Sequence, residues 1–237
     1  MVARGTPIEK IIQKGYEVPN FYTKVNLLAH FLNTDANFIK ILVFAKNKKL
    51  ADLLFKELNT QFPNEISIIH SNKTQPQRFA AIANFDTGVH RVLIASDIIA
   101  RGLDIPEVSH VINFDTPNEA SDYIHRIGRT GRANSIGNAV TFITEKEKEF
   151  QEKIELLMNK KIPIFPIPDN VEISEALIAD EKIVKADKNL KKIPKLNPLG
   201  GAFHEKKAKN KKTNLGGKRR QEKERRMEEL YRKKMKR

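Results

Sequence analysis

The sequence has no cysteine among its 237 residues. That absence excludes disulfide frameworks, Cys-based zinc sites and thiol nucleophiles. The chain also has no run of about 18 or more apolar residues, and it does not begin with the basic, apolar and small-residue order of a signal peptide. These absences predict a soluble, cytoplasmic protein with no membrane segment. We also expect no structural metal, because four of the six histidines, His70, His90, His110 and His125, are too dispersed along the chain to suggest a metal cluster.

The net charge of +14 is concentrated at one end of the chain. Residues 1–180 hold 21 Lys and Arg against 22 Asp and Glu, whereas residues 181–237 hold 22 against 7. A neutral body with a long cationic extension is typical of a nucleic-acid binder that adds an electrostatic anchor to a folded domain. The alternative interpretation is that the extension only keeps the protein soluble.

Short apolar, β-branched runs alternate with segments of helical period in the first two thirds of the chain. The runs predict strands at 40–45, 66–70, 91–96, 108–114 and 137–143. The helical period occurs at 22–33, 47–60, 74–85, 118–127 and 145–160. Continuous apolar strands between helices indicate an α/β fold, with a parallel sheet covered by helices on both faces. In such sheets ligands bind at the carboxyl ends of the strands.

The flanking segments differ in composition from this domain, which we place at residues 21–160. Residues 161–180 contain prolines and predict an extended segment. Residues 181–237 are Lys-rich with few large apolar residues, and they predict a basic, largely disordered tail. Within that tail, the mixed charges of 218–237 are compatible with a solvated helix when the tail is bound to a partner.

The densest group of cations and glycines in the body is the run "YIHRIGRTGR" at 123–132. An arginine guanidinium holds a pair of phosphate oxygens and does not lose its charge, and neighbouring glycines let the backbone approach a ligand closely. Close arginines repel each other, so an anion, above all a phosphate, is the expected third partner. The glycines favour a helix end and turn at this place. The alternative is that the arginines are solvated or pair with Asp104, Asp115 and Asp122.

This run closely resembles the sixth conserved motif of the DEAD-box RNA helicases. The string "VLIASDIIARGLDIP" at 92–106 resembles their fifth motif, "ILVFAKNKKLADLL" at 41–54 resembles the fourth, and "QPQR" at 75–78 resembles the Gln-x-x-Arg element that follows it. By order and spacing, residues 20–160 are similar to the C-terminal RecA-like domain of such a helicase. The strings "VPNFYTKVNLLAHFL" and "KIELLMNKKIPIFPIP" are most similar to the bacterial RhlE-like branch.

The resemblance implies an ATP site shared across an interdomain cleft. Arg129 and Arg132 would reach the terminal phosphates of ATP, and one of them would act as the arginine finger. Asp104 resembles the carboxylate that contacts the ribose or the ATP site. His125 and Arg126 match positions that couple ATP to the other domain. The resemblance thus implies His125 among the catalytic residues and Arg126 among the residues that bind ATP.

The resemblance also implies an RNA surface on the same domain. It would contact the sugar-phosphate backbone through Gln75, Arg78, Ser96, Arg101 and Gly102. Such contacts position a strand without reading its bases. The chain departs from the family pattern at Ser71, where a glycine is usual, and at Ser96, where a threonine is usual but a hydroxyl is kept.

Two motifs that such an enzyme needs are absent from the sequence. No string of the form Gly-x-x-x-x-Gly-Lys followed by Ser or Thr occurs, and there is no Asp-Glu-Ala-Asp motif. The resemblance assigns both, together with ATP and Mg²⁺ binding, to an N-terminal RecA-like domain, so this chain alone is predicted to be inactive as an ATP hydrolase. Residues 1–20 resemble the remnant of the linker between the two domains. The chain is therefore expected to be a fragment or a truncated reading frame, with a natural standalone protein as the alternative.

The leading functional hypothesis is the C-terminal half of an ATP-dependent RNA helicase that separates short duplexes by closing two domains around ATP. A non-catalytic RNA-binding module that acts through its basic tail is the alternative. A DNA helicase half is disfavoured, because "HRIGRTGR" together with "ARGLD" is typical of the RNA group.

Overall fold

The structure, a computed structural model, describes residues 8–96, 108–131, 136–182 and 217–234. The described residues up to Lys182 belong to one unit, and the described residues from Gly217 onward belong to a second. The predicted site residues Arg101, Gly102, Asp104 and Arg132 lie outside the described residues.

The first unit contains a parallel sheet of seven strands. These strands are β1 (Ile11–Glu17), β2 (Ile41–Ala45), β3 (Ile66–Ile69), β4 (Val92–Ser96), β5 (His110–Asn113), β6 (Gly137–Ile143) and β7 (Ile164–Phe165). Their order across the sheet is β3-β4-β2-β5-β6-β1-β7. The five strands predicted from apolar runs are confirmed as β2 to β6, and every residue of β2, β4 and β5 is buried.

Helices connect the strands and cover both faces of the sheet. They are α1 (Phe21–Thr34), α2 (Lys48–Gln61), α3 (Gln75–Asp86), α4 (Ala120–Ile127) and α5 (Lys148–Met158). The second unit contains one further described helix, α6 (Gly217–Lys234). Short 3₁₀ turns precede β1 at Ile8–Lys10 and α5 at Glu145–Glu147. The helices begin where the sequence supplies caps, since the side chains of Asn20 and Asn47 accept hydrogen bonds from the first turns of α1 and α2.

Alternate residues of the central strands point to opposite faces of the sheet. Val43 packs in the core under α1 and α2, whereas its neighbour Phe44 packs with Phe85 of α3. On the face that carries α4 and α5, Tyr123 and Ile154 pack in one cluster. The predicted α/β fold, with helices on both faces of a parallel sheet, is therefore confirmed.

The first strand lies within residues 1–20, which the sequence analysis assigned to the remnant of an interdomain linker. Ile11–Glu17 pairs with β6 along its whole length and with β7 at Gly15 and Tyr16. Its residues alternate between buried and exposed over the first four positions, which is the signature of a strand with one covered face. The strand was missed because its exposed alternate residues hide the continuous apolar run by which the other strands were recognised.

Residues after α5 follow the surface of α1 in an extended path. The backbone N–H of Ser174 donates to Thr23 Oγ1 at 3.0 Å, and Asn26 Nδ2 donates to the carbonyl of Glu172 at 2.9 Å. The carboxylate of Glu181 accepts the N–H of Phe21, the first residue of α1, at 2.6 Å. The proline-containing segment thus caps and covers α1 by hydrogen bonds to its side chains and its amino end.

Part of the basic tail is helical, although we predicted the tail to be largely disordered. Gly217–Lys234 forms α6, within the stretch whose mixed charges indicated a helix for the bound state only. Its described side chains from Gln221 to Glu229 are all exposed. No helix in the described part of the chain combines the length and the apolar character needed to cross a membrane.

Two glycines are needed where the chain after α4 passes the start of β6. Gly131 has φ = +70°, a backbone conformation that side chains disfavour. A Cβ on Gly137 would lie 2.7 Å from the amide nitrogen of Gly131 and 2.8 Å from Cγ2 of Thr130. The glycines therefore permit close packing of backbone on backbone.

We expect Gly137→Ala to lower the free energy of unfolding by about 1–3 kcal/mol, because the new methyl group meets backbone that cannot move aside cheaply. Denaturant unfolding of the 237-residue chain measures this. The exposed neighbour Ile136 provides the control, since Ile136→Ala should change stability by no more than about 0.5 kcal/mol. Equal stability of Gly137→Ala and the wild type would contradict the packing argument.

Candidate functional site

The three described residues of the predicted RNA surface, Gln75, Arg78 and Ser96, lie near the ends of β3 and β4. Ser96 is the last residue of β4, pairs with Ala45 of β2, and is 4% exposed. Gln75 begins α3, which follows β3, and Arg78 lies one turn further on. The sheet register therefore places Ser96 and the loop before α3 at the same carboxyl edge.

Gln75 and Arg78 contact each other at the surface. Arg78 Nη1 donates to Gln75 Oε1 at 3.4 Å, and Nη2 donates to the carbonyl of Ser71 at 3.3 Å. Arg78 Nε is buried and has no hydrogen-bond partner among the described residues. A half-buried guanidinium at the amino end of a helix favours the binding of an anion, because the positive end of the helix dipole and the positive side chain both attract it.

The loop before α3 is fixed by a histidine that the predicted site did not include. His70 follows β3; its Nδ1 accepts the N–H of Asn72 at 3.3 Å and its Nε2 lies 2.9 Å from a carboxylate oxygen of Asp52. With Nδ1 acting as an acceptor, Nε2 carries the proton and donates to Asp52. The signal in the sequence was a histidine at a strand end, but its partner Asp52 is on α2, and nothing in the sequence pairs them.

The arginine run forms the end of α4 and a turn, as its glycines indicated. The helix ends at Ile127, and the N–H groups of Gly128, Arg129 and Thr130 donate back to the carbonyls of the last helical turn at 3.0 to 3.1 Å. The carbonyl of Arg129 accepts the N–H of Val108, just before β5, at 3.2 Å. The turn is therefore held between the end of α4 and the start of β5, the strand that precedes this helix.

The three described basic side chains of this run have different environments. His125 is exposed and Arg129 is half-buried, whereas Arg126 is only 3% exposed. Arg126 Nη1 donates to Asn113 Oδ1 at 3.1 Å and to the carbonyl of Asp115 at 2.8 Å. Its guanidinium also lies over the ring of Phe44 at 5.1 Å. The structure thus places Arg126 inside the domain, bonded to protein groups.

Comparison with known proteins identifies the domain. Residues 23–134 match the helicase conserved C-terminal domain family. The chain is 30% identical to the structure of the C-terminal domain of the DEAD-box protein Dbp5, covers 92% of that structure and 68% of itself, and has a TM-score of 0.62. The chain belongs to the DEAD-box RNA helicase family. Its first unit is a helicase C-terminal domain with a RecA-like fold.

Relatives of full length extend well beyond this chain. The chain is 34% identical over 184 residues to the probable ATP-dependent RNA helicase DDX47 of Bos taurus, a match that covers 76% of this chain but 38% of the relative. A structure of Dbp5 from S. cerevisiae bound to RNA and ADP BeF3 is 30% identical with a TM-score of 0.62, and the match covers 68% of this chain and 42% of that one. The chain therefore spans about two fifths of the length of these helicases.

The described residues of this helicase domain fit the phosphates of ATP better than they fit Mg²⁺. The turn carries a half-buried arginine, whose planar fork suits phosphate oxygens. Among the described residues, no group of three or more His, Asp or Glu side chains is placed to hold a metal ion. The half-buried arginine of the turn therefore suits an anion such as a phosphate better than a divalent cation.

A buried ion cluster at the carboxyl edge supports the strand ends of the helicase domain. Lys24 Nζ lies 3.2 Å from Asp115 Oδ1 and 2.9 Å from Glu147 Oε2, and the lysine side chain is 3% exposed. Burial alone would lower the pKa of Lys24, but the two carboxylates outweigh it and raise the pKa above its ordinary value. Lys24 therefore ties α1 to the ends of β5 and β6 through two ion pairs.

The carboxylates of this cluster also bind backbone groups. Asp115 Oδ2 accepts the N–H of Lys46 after β2 at 2.8 Å, and Glu147 Oε1 accepts the N–H of Thr116 at 3.1 Å. The cluster thus joins the segments that follow β2, β5 and β6. The sequence analysis missed it, since Lys24 and Asp115 are 91 residues apart and no spacing rule connects them.

We expect Lys24→Met to lower the free energy of unfolding by roughly 3–5 kcal/mol at neutral pH, because it leaves two buried carboxylates without their cation. Denaturant unfolding measures the loss. Adding Glu147→Gln to Lys24→Met should recover part of it, since one of the two uncompensated charges is then removed. The exposed pair of Lys153 with Glu149 is the control, and Lys153→Met should cost less than about 1 kcal/mol. Similar losses for Lys24→Met and Lys153→Met would contradict the role of the cluster.

Proposed function

We propose that this chain is the C-terminal half of an ATP-dependent RNA helicase and that it works together with an N-terminal P-loop domain. The observation that carries the proposal is the helicase C-terminal domain fold with its arginine turn, in a chain without a P-loop string. The intact enzyme would hydrolyse ATP as its two domains close and would separate short RNA duplexes. By itself this chain would not hydrolyse ATP.

On the nucleotide side, the proposal assigns Arg129 and Arg132 to the terminal phosphates. One of them is the arginine finger that offsets the charge that builds up on the transferring phosphoryl group. The bonds that hold the backbone of Arg129 between α4 and Val108 support this role, because a fixed cation loses little free energy in reorganising during the reaction. Asp104 contacts the ribose side of ATP, and exposed His125 couples the nucleotide to the partner domain.

Arg126 acts on the same site from inside the domain. Its bonds to Asn113 and to the carbonyl of Asp115 leave it among protein groups, so we assign it to supporting the turn. The resemblance also implies a direct contact of Arg126 with ATP. The burial of its side chain favours the supporting role over that contact.

On the RNA side, the proposal assigns the backbone contacts to the carboxyl edge around α3. Gln75 and Arg78 present an amide and a cation side by side, and Ser96 lies at the end of the neighbouring strand. Arg101 and Gly102 would complete this surface. The yeast Dbp5 structure with RNA and ADP BeF3 supports the pairing of an RNA surface with a nucleotide site in this family. Membership of the bacterial RhlE-like branch and a cytoplasmic location are further parts of the proposal.

A second candidate function is RNA binding through the basic tail. Residues 181–237 carry 22 Lys and Arg against 7 Asp and Glu, and the described cations of α6 are exposed, among them Lys223, Arg225 and Arg226. Such a tail would attach the protein to RNA through phosphates, independently of base sequence.

The arginine finger is tested in a fusion of this chain to a P-loop domain of the same family. We expect RNA-stimulated ATPase activity in the fusion, and a fall in kcat of about 10³-fold in Arg129→Ala, since finger arginines contribute on that order. Arg91→Ala is the matched control. Arg91 pairs with Glu65 and directly precedes the first residue of β4, whereas Ser96 is the last residue of that strand. Arg91 therefore lies at the opposite end of the strand from the carboxyl edge. Unchanged turnover in Arg129→Ala would exclude the finger role.

The tail is tested by RNA affinity as a function of salt, for residues 1–237 and 1–182. The truncation ends after Lys182 so that Glu181 still caps α1. We expect truncation to remove most of the affinity. The logarithmic salt slope on single-stranded RNA should become shallower by about 0.7 for each phosphate that the tail neutralises. If both affinity and slope are retained, RNA binds to the surface around Arg78 and the tail has another role. Matched DNA strands in the same assay distinguish an RNA helicase from a DNA helicase.

A further inference from the structure

A line of hydrogen bonds crosses the core beneath α4 and ends at Arg126. Arg126 Nη1 donates to Asn113 Oδ1 at 3.1 Å, and Asn113 Nδ2 donates to Thr141 Oγ1 at 3.2 Å. Thr141 Oγ1 donates to Tyr123 Oη at 3.3 Å, and Tyr123 Oη donates to Gln13 Oε1 at 2.9 Å. Every donor points the same way, from the cation toward β1. Each bond therefore polarises the next, which strengthens the whole line.

These polar side chains lie where apolar residues would be expected. Asn113 and Tyr123 are fully buried, Thr141 is 1% exposed, and Gln13 is 5% exposed. They lie on the sheet face where Ile127, Ile154 and their neighbours form an apolar cluster. Gln13 Nε2 is buried and has no hydrogen-bond partner among the described residues. Burying polar groups costs free energy that an apolar set of the same shape would not.

The hydrogen bonds of this line hold the guanidinium of Arg126 in one orientation. Burial raises the pKa of the Tyr123 phenol, so that this group stays protonated and remains a donor at neutral pH. Asn113 presents an acceptor to Arg126 and a donor to Thr141, which neither a carboxylate nor an aliphatic side chain of similar size can do. Strand pairing fixes the distance between these groups, because Asn113 and Thr141 are register partners in β5 and β6.

We propose that Asn113, held by Thr141 and Tyr123, is a positioning residue that fixes Arg126 and thereby the arginine turn at residues 128–131. The connection to the turn is short, since the carbonyl of Arg126 accepts the N–H of Arg129 at 3.1 Å. With Arg126 fixed by its side chain, the last turn of α4 cannot rotate, and Arg129 keeps its direction. The effect on catalysis rests on the proposed function above, whereas the effect on the turn does not.

Two substitutions at the same position separate positioning from packing. Asn113→Asp keeps an acceptor for Arg126, and Asn113→Leu keeps the volume but removes the acceptor. The matched control is Ser67→Ala, because Ser67 is also buried and hydrogen-bonded, to His90, but lies on the edge strand β3. If Asn113 had only a structural role, the effect of each variant on the turn would follow its loss of global stability. It would not depend on whether the new side chain keeps the acceptor for Arg126.

The first measurement is hydrogen exchange on the 237-residue chain, which needs no partner domain and no activity. In Asn113→Leu we expect the amides of Gly128, Arg129 and Thr130 to exchange about tenfold faster, the size of one charge-assisted bond. In Asn113→Asp they should stay within about threefold of the wild type. The amides of α2 should be unchanged in all variants. If Asn113→Leu does not fold, Thr141→Val breaks the line one bond further from Arg126 and should give a smaller increase at the same amides.

The second measurement is ATPase kinetics in the P-loop fusion. We expect Asn113→Leu to lower kcat about tenfold with little change in the KM for ATP, and Asn113→Asp to restore most of kcat. Equal exchange rates at residues 128–130 in the wild type, Asn113→Leu and Thr141→Val would overturn the inference even if the fusion is active. An inactive wild-type fusion would count against the proposed function and leave the exchange test of the turn intact.

Discussion

Burial of β2, β4 and β5 on both faces is the constraint on which the rest of the domain depends. Because parallel strands cannot be joined by tight turns, each must be followed by a crossover, and the helices of these crossovers cover the faces. All segments that leave the strands therefore begin at one edge. That edge holds Ser96, the loop before α3, and the ion cluster of Lys24. Polar residues that are far apart in the sequence are therefore close together there.

The polar groups of the domain divide into two sets by burial. Gln75, Arg78 and Arg129 are exposed or half-buried, so a ligand can reach them from solvent. Arg126, Asn113 and Lys24 are buried and bind protein groups. Burying the second set costs free energy of desolvation. Its hydrogen bonds and ion pairs fix the backbone from which the exposed side chains project. Fixed backbone of this kind would favour the electrostatic role that we propose for the exposed arginines.

Much of the fold could be read from local patterns, and the exceptions have physical causes. β2 to β6 are continuous apolar runs because both of their faces are covered, and such runs are visible in any single sequence. β1 has one covered face and alternates, and β7 is two residues long, so neither produced a run. The mixed charges of α6 indicated a helix, but local charge could not say whether it forms without a partner. The glycines of the run located the arginine turn correctly, since Gly131 has a positive φ and the backbone at Gly137 of β6 approaches it closely.

The sequence by itself determined the α/β class, the family, the helix end at Gly128 and the separation of a neutral body from a basic tail, because each depends on neighbours within a few residues or on composition. Only the tertiary structure decided which cations face outward. Arg126 and Arg129 are three positions apart in one motif, yet the first is buried against Phe44 and the second reaches the surface. Their difference depends on the register of β5 and β6 and on the depth at which α4 packs, and no local pattern encodes contacts between segments that meet only after folding.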